Sequence, residues 1–142
     1  MNHLDRWLDV WLRVKEPRVL RVIFFLGYLV VLGTGIVTLT NPPTTIEGAL
    51  GPLLAVSWAL FWIVGGIGGS LTVLQGWWEV ERYAVAAVMF GLAIYAAVVI
   101  ILHVQSPGSR LTQLGWLVIG VLFFVLRLLL IRGHDFEPRP RR

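Results

Sequence analysis

Nearly all side chains able to do acid–base, ionic or ligand chemistry lie outside this chain's apolar stretches. Two basic side chains lie inside: Arg127, within the last apolar run, and His103, near the outer end of the third. An ionisable residue at membrane depth marks a functional site by default. Arg127 is little more than a turn from Arg132, so its long stem is expected to snorkel to the nearer surface. Glu79, Glu81 and Arg82 read as a solvated turn, and Glu47, placed after Thr44, reads as half of a capping box for the helix that follows. No Asp, Glu or Lys falls in the middle of an apolar run.

That distribution argues against most membrane chemistry. A small proton-coupled exporter needs a membrane-embedded acid, and the first run has none. A haem-bearing bundle needs internal histidines, whereas His3 and His134 stand outside the runs. With no cysteine, disulfide exchange, thiol catalysis and cysteine metal sites are excluded together. Four-helix fluoride channels carry a glycine-rich segment like Gly65-Gly66-Ile67-Gly68-Gly69-Ser70, but the arginine that follows theirs is missing here. No serine-histidine-acid set, phosphate loop or metal cluster occurs, so the expectation is a non-enzyme with no cofactor and no metal.

The elements that carry these residues are uncharged runs long enough to cross a bilayer, which takes roughly 20 apolar residues per helix. Spans are expected at residues 19–40, 53–74, 83–104 and 111–131. Barrel strands would alternate apolar and polar side chains, yet Leu29-Val30-Val31-Leu32 and Val98-Val99-Ile100-Ile101-Leu102 are apolar on every side. Composition agrees, with 57% hydrophobic residues and a mean hydropathy of +0.79. The predicted fold is an all-α membrane protein, four transmembrane helices in an up-down bundle. It divides into residues 1–17, a four-helix domain over 18–132 and a basic tail over 133–142.

Residues 1–17 are expected to form an amphipathic interfacial helix and not a fifth span. Leu4, Trp7, Leu8, Trp11 and Leu12 recur at three- and four-residue steps, with Asp5, Arg6, Asp9 and Arg13 largely opposite. Trp7 and Trp11 suit the headgroup plane, and Pro17 interrupts the helix before the first span. A cleaved signal peptide does not fit, because the first apolar run is too long.

Positive charge sets the orientation. Arg6, Arg13, Lys15, Arg18 and Arg21 lie in the N-terminal segment, at or before the start of the first span, Arg82 joins the second to the third, and Arg132, Arg139, Arg141 and Arg142 follow the fourth. The other two loops offer only Arg110. Both termini are therefore expected on the cytoplasmic side. The net charge of +4 reads as attraction to anionic lipid headgroups, and not as nucleic-acid binding. Trp77, Trp78 and Arg132 are the expected interface anchors at this end. A Leu-Gly pair follows each outer loop, at Leu50-Gly51 and Leu114-Gly115, the trace that a duplicated hairpin would leave.

Small residues four apart let membrane helices approach closely. The second span has them at Gly65/Gly69 and Gly66/Ser70, and Gly91 opens a comparable face on the third. Such faces serve packing inside the bundle or contact between copies, and a homo-oligomer is expected.

Asn41-Pro42-Pro43-Thr44-Thr45-Ile46-Glu47-Gly48 and Gly76-Trp77-Trp78-Glu79-Val80-Glu81-Arg82 resemble segments of small four-span membrane proteins encoded by phages of high-GC actinobacteria. The arginine-, alanine- and glycine-rich composition suits such a genome. Proteins of that kind are often holin-like, so the resemblance implies one that oligomerises and permeabilises the bacterial inner membrane. The alternative is a non-lytic accessory or anchoring subunit that meets a protein partner at the cytoplasmic face; a small channel or transporter comes third.

Overall fold

The computed structural model describes residues 18–42, 48, 51–105 and 109–132. The amphipathic segment with Trp7 and Trp11, the Thr44/Glu47 capping box and the basic tail lie outside the described residues. Among the described residues, all regular structure is helical. The helices are α1 (Arg18–Thr40), α2 (Pro52–Gln75), α3 (Trp78–Gln105) and α4 (Leu111–Arg132). All four are long and apolar enough to cross a membrane. The chain is thus a multi-pass integral membrane protein, and helices are what lipid demands, since each closes its own backbone hydrogen bonds.

The order is up-down. Contacts gather the start of α1, the end of α2, the start of α3 and the end of α4 at one end of the bundle, called here the termini end: Arg21 reaches Val73, Tyr28 reaches Glu81, and Arg127 reaches Glu81. The expected spans hold within a residue or two except at the start of α3, which begins five residues before the expected Tyr83. The reason is local. Gly76, at φ 72° and ψ 38°, ends α2 in a left-handed cap, and the amides of Gly76 and Trp77 both donate to the Thr72 carbonyl. The Trp77 carbonyl then accepts the Glu81 amide, so a new helix starts at once. Glu79 and Glu81 in its first turn favour that start by facing the positive end of the helix dipole. Only Gly76 and Trp77 remain as the turn.

Helix α2 starts at Pro52 behind Gly51, which has φ 77° and no side-chain cap. Gly115 lies inside α4 with open space around it. The two glycines are therefore not structurally equivalent, one standing before a helix and the other inside one.

Small residues decide the closest contacts. A Cβ at Gly66 would come 2.7 Å from the Leu32 Cβ on α1, and one at Gly65 would come 2.6 Å from Val88 on α3. Gly69 faces the ring of Tyr28, and Gly91 faces the indole of Trp62, at separations that leave no room for a methyl group. Ser70, on the same stretch, turns its hydroxyl back to the Gly66 carbonyl. Helix α4 attaches differently. Its contact with α3 is less extensive than the contacts of α2 with α1 and α3, and it meets α1 through rings, with Phe24 and Phe123 centroids 4.7 Å apart and Tyr28 and Phe124 5.5 Å apart.

Candidate functional site

At the termini end, Glu81 is fully buried (0% exposed), and Arg127 is nearly so at 3%. The Arg127 Nε donates to Glu81 Oε1 and its NH2 to Oε2, each at 2.6 Å, a two-pronged pair. Tyr28 donates its hydroxyl to the same Oε1 at 3.1 Å. Helices α1, α3 and α4 are tied to one carboxylate in this way.

Arg21, 2% exposed, brings in α2. Its NH1 donates to the Val73 carbonyl at 3.2 Å. That carbonyl lies in the last turn of α2, where oxygens lack helical partners and the dipole is negative, so a guanidinium there satisfies both. Gly76 makes the approach possible: a Cβ there would lie 2.8 Å from the Arg21 NH1, besides the strain that its positive φ would impose on any side chain. The Trp78 ring packs against both cations, with Arg21 4.9 Å and Arg127 5.9 Å from its centroid, and Phe24 also faces Arg127 at 4.9 Å. Rings partly replace the water these cations have lost.

Two expectations are corrected. Arg127 does not snorkel, because its head is held inward by the carboxylate and faced by two rings. Glu81 is not part of a solvated turn; it is the deepest carboxylate among the described residues. A signal for it was present. Glu81, Ala84, Val85, Val88 and Leu92 fall on the three- and four-residue steps of one helical face, and all are buried. Glu79 falls off that stripe and is exposed. Reading the helix from Tyr83 hid the pattern.

Of the expected interface residues, Trp77 is 61% exposed and Arg132 is exposed at the end of α4, whereas Trp78 is half-buried under the two cations. Gly65, Gly66, Gly69 and Gly91 line contacts of α2 and α3 with each other and with α1, whereas the Ser70 hydroxyl bonds back within α2. His103 accepts the Arg110 amide on Nδ1 at 3.3 Å, which closes the α3–α4 turn. Among the described residues, no group of His, Asp and Glu could hold a metal ion.

A second cluster fills the other half of the bundle. Trp58 stacks on Tyr95 at 4.7 Å, and Trp62 meets both rings edge-on, at 5.0 Å from Trp58 and 6.2 Å from Tyr95. The indole N–H groups of both tryptophans are buried, with no hydrogen-bond partner among the described residues. This half is held by shape, the other by charge. No family model, curated protein or solved structure matches this chain.

Proposed function

We infer that this chain is a holin-like protein of a bacterial inner membrane, with the termini end in the cytoplasm, which permeabilises the bilayer as an assembly of several copies. The observation that carries this reading is the Arg127–Glu81 pair across the α3–α4 seam. A water-filled lesion needs polar wall, and in the closed bundle the charged groups of Arg127 and Glu81 face each other. Separating α4 from α3 would hand both, with Tyr28, to water, which repays the loss of the pair by solvating each charge. The closed form is then the storage form, and opening along the seam is the trigger. The positive charge grouped at the termini end supports the orientation, and the likeness of residues 41–48 and 76–82 to phage four-span proteins supports the class.

Assembly would use surfaces other than the small-residue faces, since Gly65, Gly66, Gly69 and Gly91 already meet Val88, Leu32, Tyr28 and Trp62 of the same chain. Replacing Gly65 and Gly69 with leucine should lower folded yield instead of selectively blocking assembly. A cleaner test uses the absence of native cysteine. Leu92 on α3 lies 3.7 Å from where a Gly120 Cβ on α4 would be, so Leu92→Cys with Gly120→Cys can be bridged by a membrane-permeant, reducible thiol cross-linker. Unbridged protein is expected to depolarise its host and stop growth, bridged protein to leave the potential intact, and reduction to restore depolarisation. Abundant membrane protein with a normal potential would overturn the reading.

One observation favours the accessory alternative. The same cluster ties all four helices into one fixed arrangement, as a scaffold subunit would need, beside an exposed Trp77 able to meet a partner. Growth with normal potential, together with co-purification of a host complex lost in Trp77→Ala, would move this reading ahead.

A further inference from the structure

Between α3 and α4, the helices leave an open groove of about 430 Å³. Its charged groups sit at one end: Arg82 from α3 and Arg132 from α4, both exposed. Its remaining length is apolar, running over Ala86, Met89, Phe90 and Ala93. We propose that this groove is a site for one anionic glycerophospholipid of the leaflet at the termini end, with an acyl chain along α3 and the phosphate between the two guanidinium groups.

Charge and length both point to that occupant. Arginine forks match phosphate oxygens in geometry as well as charge, and basic pockets between membrane helices on the positively charged side suit anionic headgroups. From Arg82 to Ala93 the helix rises about 16 Å at 1.5 Å per residue. That is about half of a hydrocarbon core of roughly 30 Å, the depth of one leaflet. A lipid with its phosphate at the arginines would therefore run its chain along the apolar floor and end near mid-membrane. An apolar helix from a second copy fits less well, because it would strip water from the exposed Arg132 head without supplying an anion. The site is independent of any lytic activity and more specific than general attraction of the basic termini to the surface.

The test is native mass spectrometry of the full chain from micelles holding equal amounts of phosphatidylglycerol and phosphatidylcholine. Wild-type protein should retain one lipid with preference for phosphatidylglycerol. Arg132→Gln should lower that preference about fivefold, the selectivity expected from one basic side chain at an anionic leaflet. Ala86→Phe, which fills the floor at an exposed position, should reduce retention of both lipids. Equal retention of the two lipids by wild-type protein would overturn the site, as would phosphatidylglycerol retention that neither variant alters. So would a dimer that Ala86→Phe dissolves while lipid retention stays constant, since the groove would then hold a second copy.

Discussion

The two halves of this bundle solve the same problem by opposite means. At the termini end, four helices converge on charges, with Glu81 holding Arg127 and Tyr28 while Arg21 caps α2. In the other half, Trp58, Trp62 and Tyr95 interlock and leave two indole N–H groups without partners among the described residues. In lipid the hydrophobic effect does not drive helices together, so packing and hydrogen bonding carry the association. The charged half is therefore sensitive to losing one partner, and the aromatic half to losing volume. An uncompensated charge is costly wherever it is buried, whereas a cavity costs only in proportion to what fails to collapse around it.

Breaking the charged half should have the largest effect. Arg127→Met strands Glu81 in a dry site and is expected to cost about 3–5 kcal/mol in denaturant unfolding from micelles. Arg127→Met combined with Glu81→Leu should recover most of that loss, because neither charge then remains; a double variant no more stable than the single one would show that the pair is not what Arg127 contributes.

In the aromatic half, Trp62→Ala should cost less, about 2–3 kcal/mol. The cavity term persists, but the transfer term shrinks when the unfolded reference is itself lipid. A loss equal to that of Arg127→Met would erase the contrast between the halves.

Gly69 connects packing to charge, because its face touches the Tyr28 ring. Gly69→Ala should cost about 1–3 kcal/mol through overpacking. It should also couple to Tyr28→Phe in a double-mutant cycle, since displacing the ring moves the hydroxyl away from Glu81. Strict additivity would mean that the ring moves without disturbing the carboxylate.

The smallest effect belongs to Tyr28→Phe alone, at about 0.6 kcal/mol, the average for a membrane interhelical hydrogen bond. Glu81 keeps both bonds from Arg127 in that variant. A loss several times larger would make Tyr28 a full member of the pair and not a third partner.

Much of the fold was legible because it follows from local rules. Apolar runs of span length forced helices, and α1, α2 and α4 begin and end within a residue of the expected spans. The start of α3 did not, since hydropathy marks where a chain becomes apolar, whereas Gly76 and the first-turn acids mark where it becomes helical. The same five-residue error hid the candidate site. Once α3 starts at Trp78, Glu81 continues a buried stripe, and the up-down order brings it beside the end of α4.

The sequence by itself determined that the chain spans a membrane, the four spans among the described residues, their helical form and their alternation, because the cost of bare backbone polar groups and apolar surface depends on composition and length alone. Only the tertiary structure decided that Arg127 turns inward to Glu81, that Arg21 caps α2, and that the small-residue faces of α2 and α3 are filled within one copy. Those outcomes depend on which helix faces meet. A stripe of small residues fits any close neighbour, and an arginine near a span end can reach water or a carboxylate equally well until packing places one of them within its reach.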